Sequence, residues 1–331
     1  MSKYKIPPFD EIVSLDSLFA SWNEFKQKKK IKNDVALFAS RLIPNLLSLE
    51  RDLKTGAYKH GPYYHFKIND PKPRDIHKAL VRDRIIHHAL YRALYPHFTR
   101  RFIFDSYSCQ MGKGTHRALK RLAEFSLKSS RNFSGTVWVL KGDVKKCFAS
   151  INHQVLKSTL MRDIKDTQTV NLLAEIIDSF SAGGEKGTGI PLGNLTSQLF
   201  VNIYLNDFDQ FIKHELKAKY YVRYADDFVV LSSSQLELKN LISKIDLFLR
   251  TNLKLFLHPD KVYIKSFASG IDFLGWVHFF KYRTLRTVTQ KRMMRRIGEH
   301  PTPETISSYL GLLKHGQAYK LSERIRNEHQ T

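Results

Sequence analysis

Three acidic residues stand in the chain where solubility does not explain them. Asp143 closes the apolar run Thr136-Val137-Trp138-Val139-Leu140, and the pair Asp226-Asp227 separates two β-rich runs, 220–225 and 228–232. Adjacent carboxylates repel each other unless a cation lies between them. Acids delivered by rigid strands from distant parts of a chain suit two hard divalent cations held about 4 Å apart. That arrangement activates an attacking hydroxyl and stabilises a leaving pyrophosphate in nucleotidyl transfer. An Asp-Asp pair on a turn is also common in ordinary hairpins, so the pair alone leaves both readings open.

The surrounding periodicities say what must hold these acids in place. Residues 136–143 read as a buried strand, and 220–232 as a hairpin with the acids at its tip. Asn152 caps a helix running to Ile164, and a further helix covers 170–180. Gly183, Gly184, Gly187 and Gly189 mark a flexible connection into a helix over 194–219. Beyond the hairpin, a helix over 236–251, strands around 262–264 and 273–279, and a basic helical tail from Val288 are expected. Upstream, an amphipathic helix over 15–25 is followed by Lys28, Lys29, Lys30 and Lys32, a run suited to RNA and equally to a solvated linker. A helix capped by Asn33 or Asp34 is predicted to reach Gly56 with a kink at Pro44. Tyr64, Phe66 and Ile68 alternate as in a strand, and a second helix is expected over 75–95.

Composition narrows the partners. With 42% hydrophobic and 12% aromatic residues, 331 residues bury a real core of one large domain or two to three joined subdomains. Lys and Arg number 54 against 31 Asp and Glu, a formal charge of +23, beyond what solubility requires and suited to a polyanion. No window approaches the roughly 20 apolar residues of a membrane span, and no apolar signal core follows Met1. Cys109 and Cys147 have no paired spacing, so no zinc or disulfide framework is expected, and the setting is a reducing, cytoplasmic one. No repeat or low-complexity tract is present.

Tyr224-Ala225-Asp226-Asp227, between Tyr221-Val222 and Phe228-Val229-Val230, resembles the Tyr-x-Asp-Asp signature of reverse transcriptases. The likeness continues in order along the chain. Asp143 to Phe148 resembles the first palm motif, which implies metal binding by Asp143 and the Val144 carbonyl, with Asp226 and Asp227 as the other ligands. In this motif Phe148 faces the sugar and disfavours a 2′-hydroxyl; a core phenylalanine is the plainer alternative. Gly189-Ile190-Pro191-Leu192-Gly193-Asn194-Leu195-Thr196-Ser197-Gln198 resembles the second palm motif, implying that Leu192 and Gln198 lie at the nascent pair and Gly193 and Asn194 at the template. Lys261, in His258-Pro259-Asp260-Lys261, resembles the lysine near the triphosphate that protonates the leaving group. Phe273-Leu274-Gly275-Trp276 resembles the primer grip.

Lys72, Arg74, Arg82 and Arg84 fall where the fingers of these enzymes hold the triphosphate and template backbone, and Arg74 is the favoured triphosphate contact with Lys72 beside it. The segment 106–118, with Gln110-Met111-Gly112-Lys113-Gly114-Thr115, resembles the fingers motif of group II intron-type enzymes. It lacks the spacing of a phosphate-binding P-loop. Residues 307–316 resemble a short helical thumb, preceded by Lys291, Arg292, Arg295 and Arg296, which suit a nucleic-acid backbone or a solvated helix face alike. His87-His88 has no second ligand cluster and reads as structural.

The resemblance implies an α+β right-hand polymerase: an N-terminal extension over 1–32, fingers over 33–135, palm over 136–280 with a fingers insertion near 160–188, and thumb over 281–331. The palm is an antiparallel sheet backed by helices. The resemblance covers roughly residues 33–325, which implies a free-standing enzyme without nuclease or integrase domains. Leu192 and Gln198 depart from the group II intron pattern, and Leu-Gly-Asn-x-x-Ser-Gln resembles the reverse transcriptases of diversity-generating retroelements. That likeness implies copying of a template RNA from an RNA or DNA primer with dNTPs and two Mg²⁺, with Mn²⁺ a possible substitute. It also implies errors at template adenines, a small basic oligomeric accessory protein, a prokaryotic or phage source, and no membrane. An apolar Leu192 removes a hydrogen-bonding contact that would favour the correct base. A group II intron-like or defence-associated reverse transcriptase, and a polymerase fold kept only for RNA binding, are the alternatives.

Overall fold

Capping chemistry sets many of the element boundaries. Ser14, Asn152, Asp166 and Thr302 each accept a hydrogen bond from the backbone N–H three residues on, and a helix starts directly after each. A computed structural model describes residues 5–27, 29, 32–69 and 73–328. Among them, no helix is long and apolar enough to cross a membrane. The chain divides into two units, one from the described parts of Met1–Phe104, Val144–Phe211 and Asp246–Leu257, the other from Asp105–Asp143, Ile212–Ile245 and the described part of His258–Thr331.

The first unit is mainly helical. Leu18, Trp22 and Phe25 recur at helical spacing and bury one face of the Leu15–Phe25 helix, which packs on the Val81–Phe98 helix with the Phe25 ring edge-on to His88. The Leu195–Gln210 helix packs on Val81–Phe98 and on His153–Met161, which in turn packs on Thr167–Asp178. Strands β1 (Tyr64–Ile68) and β2 (Arg74–Lys78) form an antiparallel ribbon, from Tyr64 opposite Lys78 to Ile68 opposite Arg74.

Two local expectations are corrected here. The helix expected to run from Asn33 to Gly56 with a kink at Pro44 breaks instead at Arg41, between Asn33–Ser40 and Leu42–Lys54. Pro44 sits in the first turn of the second helix, where its missing N–H has no intrahelical partner to lose. The helix expected from Asp75 begins at Val81, because residues 74–78 pair with β1.

The second unit holds an antiparallel sheet of β3 (Trp138–Asp143), β4 (Tyr220–Tyr224), β5 (Asp227–Ser232) and β6 (Tyr263–Ser266), in the order β4-β5-β3-β6. Its apolar face, including Val139, Val222 and Val229, is covered by Leu119, Leu122 and Phe125 of the Thr115–Ser129 helix. The same core continues through β7 (Ile271–Phe273), β8 (Trp276–His278) and β9 (Arg283–Leu285). It then reaches Met293, Leu313 and Ile325 of three terminal helices, Thr287–Glu299, Pro303–Leu313 and Tyr319–Glu328. The strand expected over 273–279 is interrupted by Leu274 and Gly275, both left-handed, which turn it into the β7–β8 hairpin.

Candidate active site

The acids are assembled by strand register. Pairing of β3 with β5 sets Asp143 opposite Asp227 and Gly142 opposite Phe228. The β4–β5 hairpin closes at Tyr224 opposite Asp227, leaving Ala225 and Asp226 as a two-residue turn. Ala225 takes φ +54°, the left-handed value that such turns require of their first residue. Gly142 is required where it stands, because a Cβ there would run into the Phe228 ring.

Like charges directly opposed across a sheet destabilise it, so the arrangement depends on counter-charge. Asp143 is 7% exposed, and Lys261 Nζ donates to both of its carboxylate oxygens at 3.0 Å. Lys141 Nζ stands 3.5 Å from Asp227 Oδ1. Burial and the charges of Asp143 and Asp227 push the Asp226 carboxyl up to about 6. Burial also raises Asp227, with Lys141 opposing the shift. The donor set is all hard oxygen with an excess of crowded negative charge, which fits divalent cations in type. Among the described residues, no three His, Cys, Asp or Glu side chains converge tightly enough to hold one ion together. Both Asp143 oxygens are engaged by Lys261 in this arrangement.

Two positions beside these acids were not anticipated. Lys141 is buried in β3, and Arg223, 1% exposed in β4, donates to the Ala225 carbonyl at 2.9 Å and to Ser106 Oγ at 3.1 Å. Arg223 N–H also donates to the Asp105 carbonyl, and the Arg223 carbonyl accepts from Tyr107 N–H, both at 3.0 Å. The guanidinium thus braces the turn that carries Asp226. The signal available in advance was a cation inside each apolar strand, a placement that demands a partner.

The other candidates are distributed as follows. Lys72 lies outside the described residues. Arg74 is exposed at the start of β2. Arg82 pairs with Asp52 and Arg84 with Asp34, each at 2.6 Å, over the rings of Tyr58 and Phe25. Val144 is buried and bridges to Leu257. Phe148 is half-buried in the Cys147–Ser150 helix, and its carbonyl accepts from Ile190 N–H at 2.8 Å, so the two palm motifs meet within the first unit. Leu192 is half-buried and Gln198 exposed, whereas Gly193 and the Asn194 side chain are turned to β2. In the second unit the side chains of Phe273 and Trp276 lie in the core, and Leu274 of the β7–β8 turn packs half-buried against it. Lys291, Arg295 and Arg296 are exposed and Arg292 is half-buried on the Thr287–Glu299 helix, with Arg295 3.7 Å from Glu299.

Comparison with known proteins adds four findings. Residues 68–278 match the family model described as reverse transcriptase (RNA-dependent DNA polymerase). Protein YkfC of Escherichia coli K12 is 26% identical over 306 residues, covering 80% of this chain and 77% of that protein. The group II intron-encoded protein LtrA of Lactococcus lactis subsp. cremoris is 25% identical over 364 residues, covering 88% of this chain and 57% of LtrA. The apo telomerase of Candida tropicalis, truncated of its C-terminal domain, superposes with a TM-score of 0.51 at 14% identity, over 74% of this chain and 60% of that one. That likeness is one of fold alone.

Proposed function

The chain belongs to the reverse transcriptase family and has its right-hand polymerase fold, and from that premise we propose that it copies an RNA template into DNA with Asp143, Asp226 and Asp227 as the metal-binding acids. The observation that carries this reading is the register setting Asp143 opposite Asp227, with Asp226 close enough to both for their charges to raise it to about 6. When bound, two divalent cations, Mg²⁺ or in substitution Mn²⁺, would supply Lewis-acid activation of a primer 3′-hydroxyl and charge stabilisation at the leaving pyrophosphate. The Val144 carbonyl would join the carboxylates in holding them. Lys261, whose Nζ donates to both Asp143 oxygens, would be the group that protonates the leaving pyrophosphate. Fingers over 33–135, palm over 136–280 and thumb over 281–331 remain the partition we propose, with Arg74 for the triphosphate and Phe148 against a 2′-hydroxyl.

Within the family, Leu192, Gly193, Asn194 and Gln198 favour the diversity-generating class. This implies errors at template adenines, a small basic accessory protein and a cytoplasmic setting in a prokaryote or phage-infected cell. The likeness to LtrA favours a second, group II intron-like reading. Primer extension on an RNA template with dNTPs and Mg²⁺ tests both levels. We expect DNA synthesis that Asp226→Asn reduces by about 10³-fold or more, with RNA affinity retained. Absence of synthesis by the unaltered chain would leave only the RNA-binding alternative. Misincorporation concentrated opposite template adenine supports the diversity-generating class, and an even error spectrum favours the intron-like one.

A further inference from the structure

The first unit contains a buried polar seam between β2 and the loop entering the Leu195–Gln210 helix. His77 N–H donates to the Leu192 carbonyl at 2.9 Å. The Asn194 side chain, on a residue 2% exposed, donates from Nδ2 to the His77 carbonyl at 2.8 Å and accepts at Oδ1 from Ala79 N–H at 3.1 Å. Gly193 lies between them at φ +111°, where a Cβ would meet Ile76 Cγ2 at 2.8 Å. Directly beyond, the buried His87 ring bridges Thr196 Oγ1 at 2.6 Å and His60 Nε2 at 3.1 Å, and His60 Nδ1 lies 2.7 Å from the Gly61 carbonyl. A carbonyl only accepts, so a neutral His60 donates from Nδ1 and accepts at Nε2. His87 then donates from Nε2 and accepts from the Thr196 hydroxyl at Nδ1.

The β1–β2 ribbon needs such an anchor. Two-stranded ribbons are marginal in water, and most residues of β1 and β2 are exposed or half-buried. We propose that Asn194 is a positioning residue for nucleotide selection, clamping β2 to the Leu192–Gly193 segment so that the ribbon bearing Arg74, the loop bearing Leu192 and the start of the helix bearing Gln198 move as one body. This rests on the functional reading above, in which Arg74 meets the triphosphate and Leu192 the nascent pair. A loosened ribbon would weaken contacts made equally in the ground and transition states, which raises KM and spares kcat.

Asn194→Asp tests this, because it keeps the acceptor and the volume but turns an oxygen toward the His77 carbonyl. In primer extension by the full chain, we expect KM for dNTPs to rise about tenfold, about 1.4 kcal/mol, with kcat within about twofold and template–primer Kd unaltered. Hydrogen exchange at the His77 and Ala79 amides should accelerate. Should the Asp variant not fold by circular dichroism, Asn194→Ala, which loses both bonds without adding charge, carries the same expectations. A folded variant with wild-type KM overturns the proposal, and so does a weakened template–primer Kd at constant KM, which assigns Asn194 to nucleic-acid contact instead. If the unaltered chain makes no DNA, the functional reading fails separately. The clamp is then decided by exchange alone: acceleration in Asn194→Ala supports it, and wild-type protection refutes it.

Discussion

Two lysines decide how three crowded acids coexist in a folded chain. Lys261 occupies both oxygens of Asp143, and Lys141 stands at Asp227, while among the described residues Asp226 has no cation so close and is the acid pushed up to about 6. Lys261 therefore supplies counter-charge to the metal-free site, and we expect it to compete with the metal. Lys261→Gln should lower stability in EDTA by about 1–2 kcal/mol, since a nearly buried carboxylate loses its counter-charge and keeps only a neutral donor. The same change should enlarge the gain in Tm on adding Mg²⁺, because no ammonium then has to leave Asp143. Melting curves with and without Mg²⁺ check this, and an equal Mg²⁺ response in the two proteins would show that Lys261 and the cation do not compete.

At the scale of elements, the site depends on how closely β3 and β5 approach. Gly142 faces Phe228 one position before the opposed acids, and its missing side chain leaves room for that ring. Gly142→Ala overpacks the spot with no flexible neighbour to yield, and should destabilise by about 2–3 kcal/mol in urea unfolding. Phe228→Leu in the same chain should return part of the loss. A Gly142→Ala protein as stable as the parent would mean that the two strands can separate at no cost, and the register argument for the acids would weaken with it. The β4–β5 turn is similarly held from outside itself, by Arg223 on the Ala225 carbonyl. A strained left-handed alanine persists there because its surroundings determine it.

Across the whole molecule, buried histidines set the acid limit of stability. Burial is the largest cause of the downward shifts of His87 to about 3, and of His88 and His278 to about 4. Neighbouring cations add to it, Arg84 at the first two and Arg283 at the third. In the unfolded chain these rings titrate near 6.5. Below that value the unfolded state binds more protons than the folded one, so stability is full above about pH 6.5 and falls as pH drops toward 4. Each ring contributes at most about 1.4 kcal/mol per pH unit. Asp226 and Asp227, raised in the fold, work the other way, but with three rings against them the urea midpoints at pH 7, 6 and 5 should decline in that order, and a midpoint that rises toward pH 5 would refute the histidine account. His87 belongs to the seam at Thr196 and His278 to β8, so the loss should be felt in both units.

Residue type and spacing alone determined the chemistry on offer. An apolar run ending in Asp143, two β-rich runs joined at Asp226-Asp227, and the cap Asn152 before the His153–Met161 helix are local patterns. Such signals survive in one dimension because strand and helix periods repeat within a few residues. Tertiary structure alone decided which charges meet. The pairing of Asp143 with Lys261, of Arg82 with Asp52 and Arg84 with Asp34, and the inward turn of Phe273, Trp276 and Asn194 all join positions far apart in the chain. A basic or aromatic residue looks the same in sequence whether it faces a phosphate or a carboxylate of its own fold. Its partner is supplied by packing, and no local period encodes that.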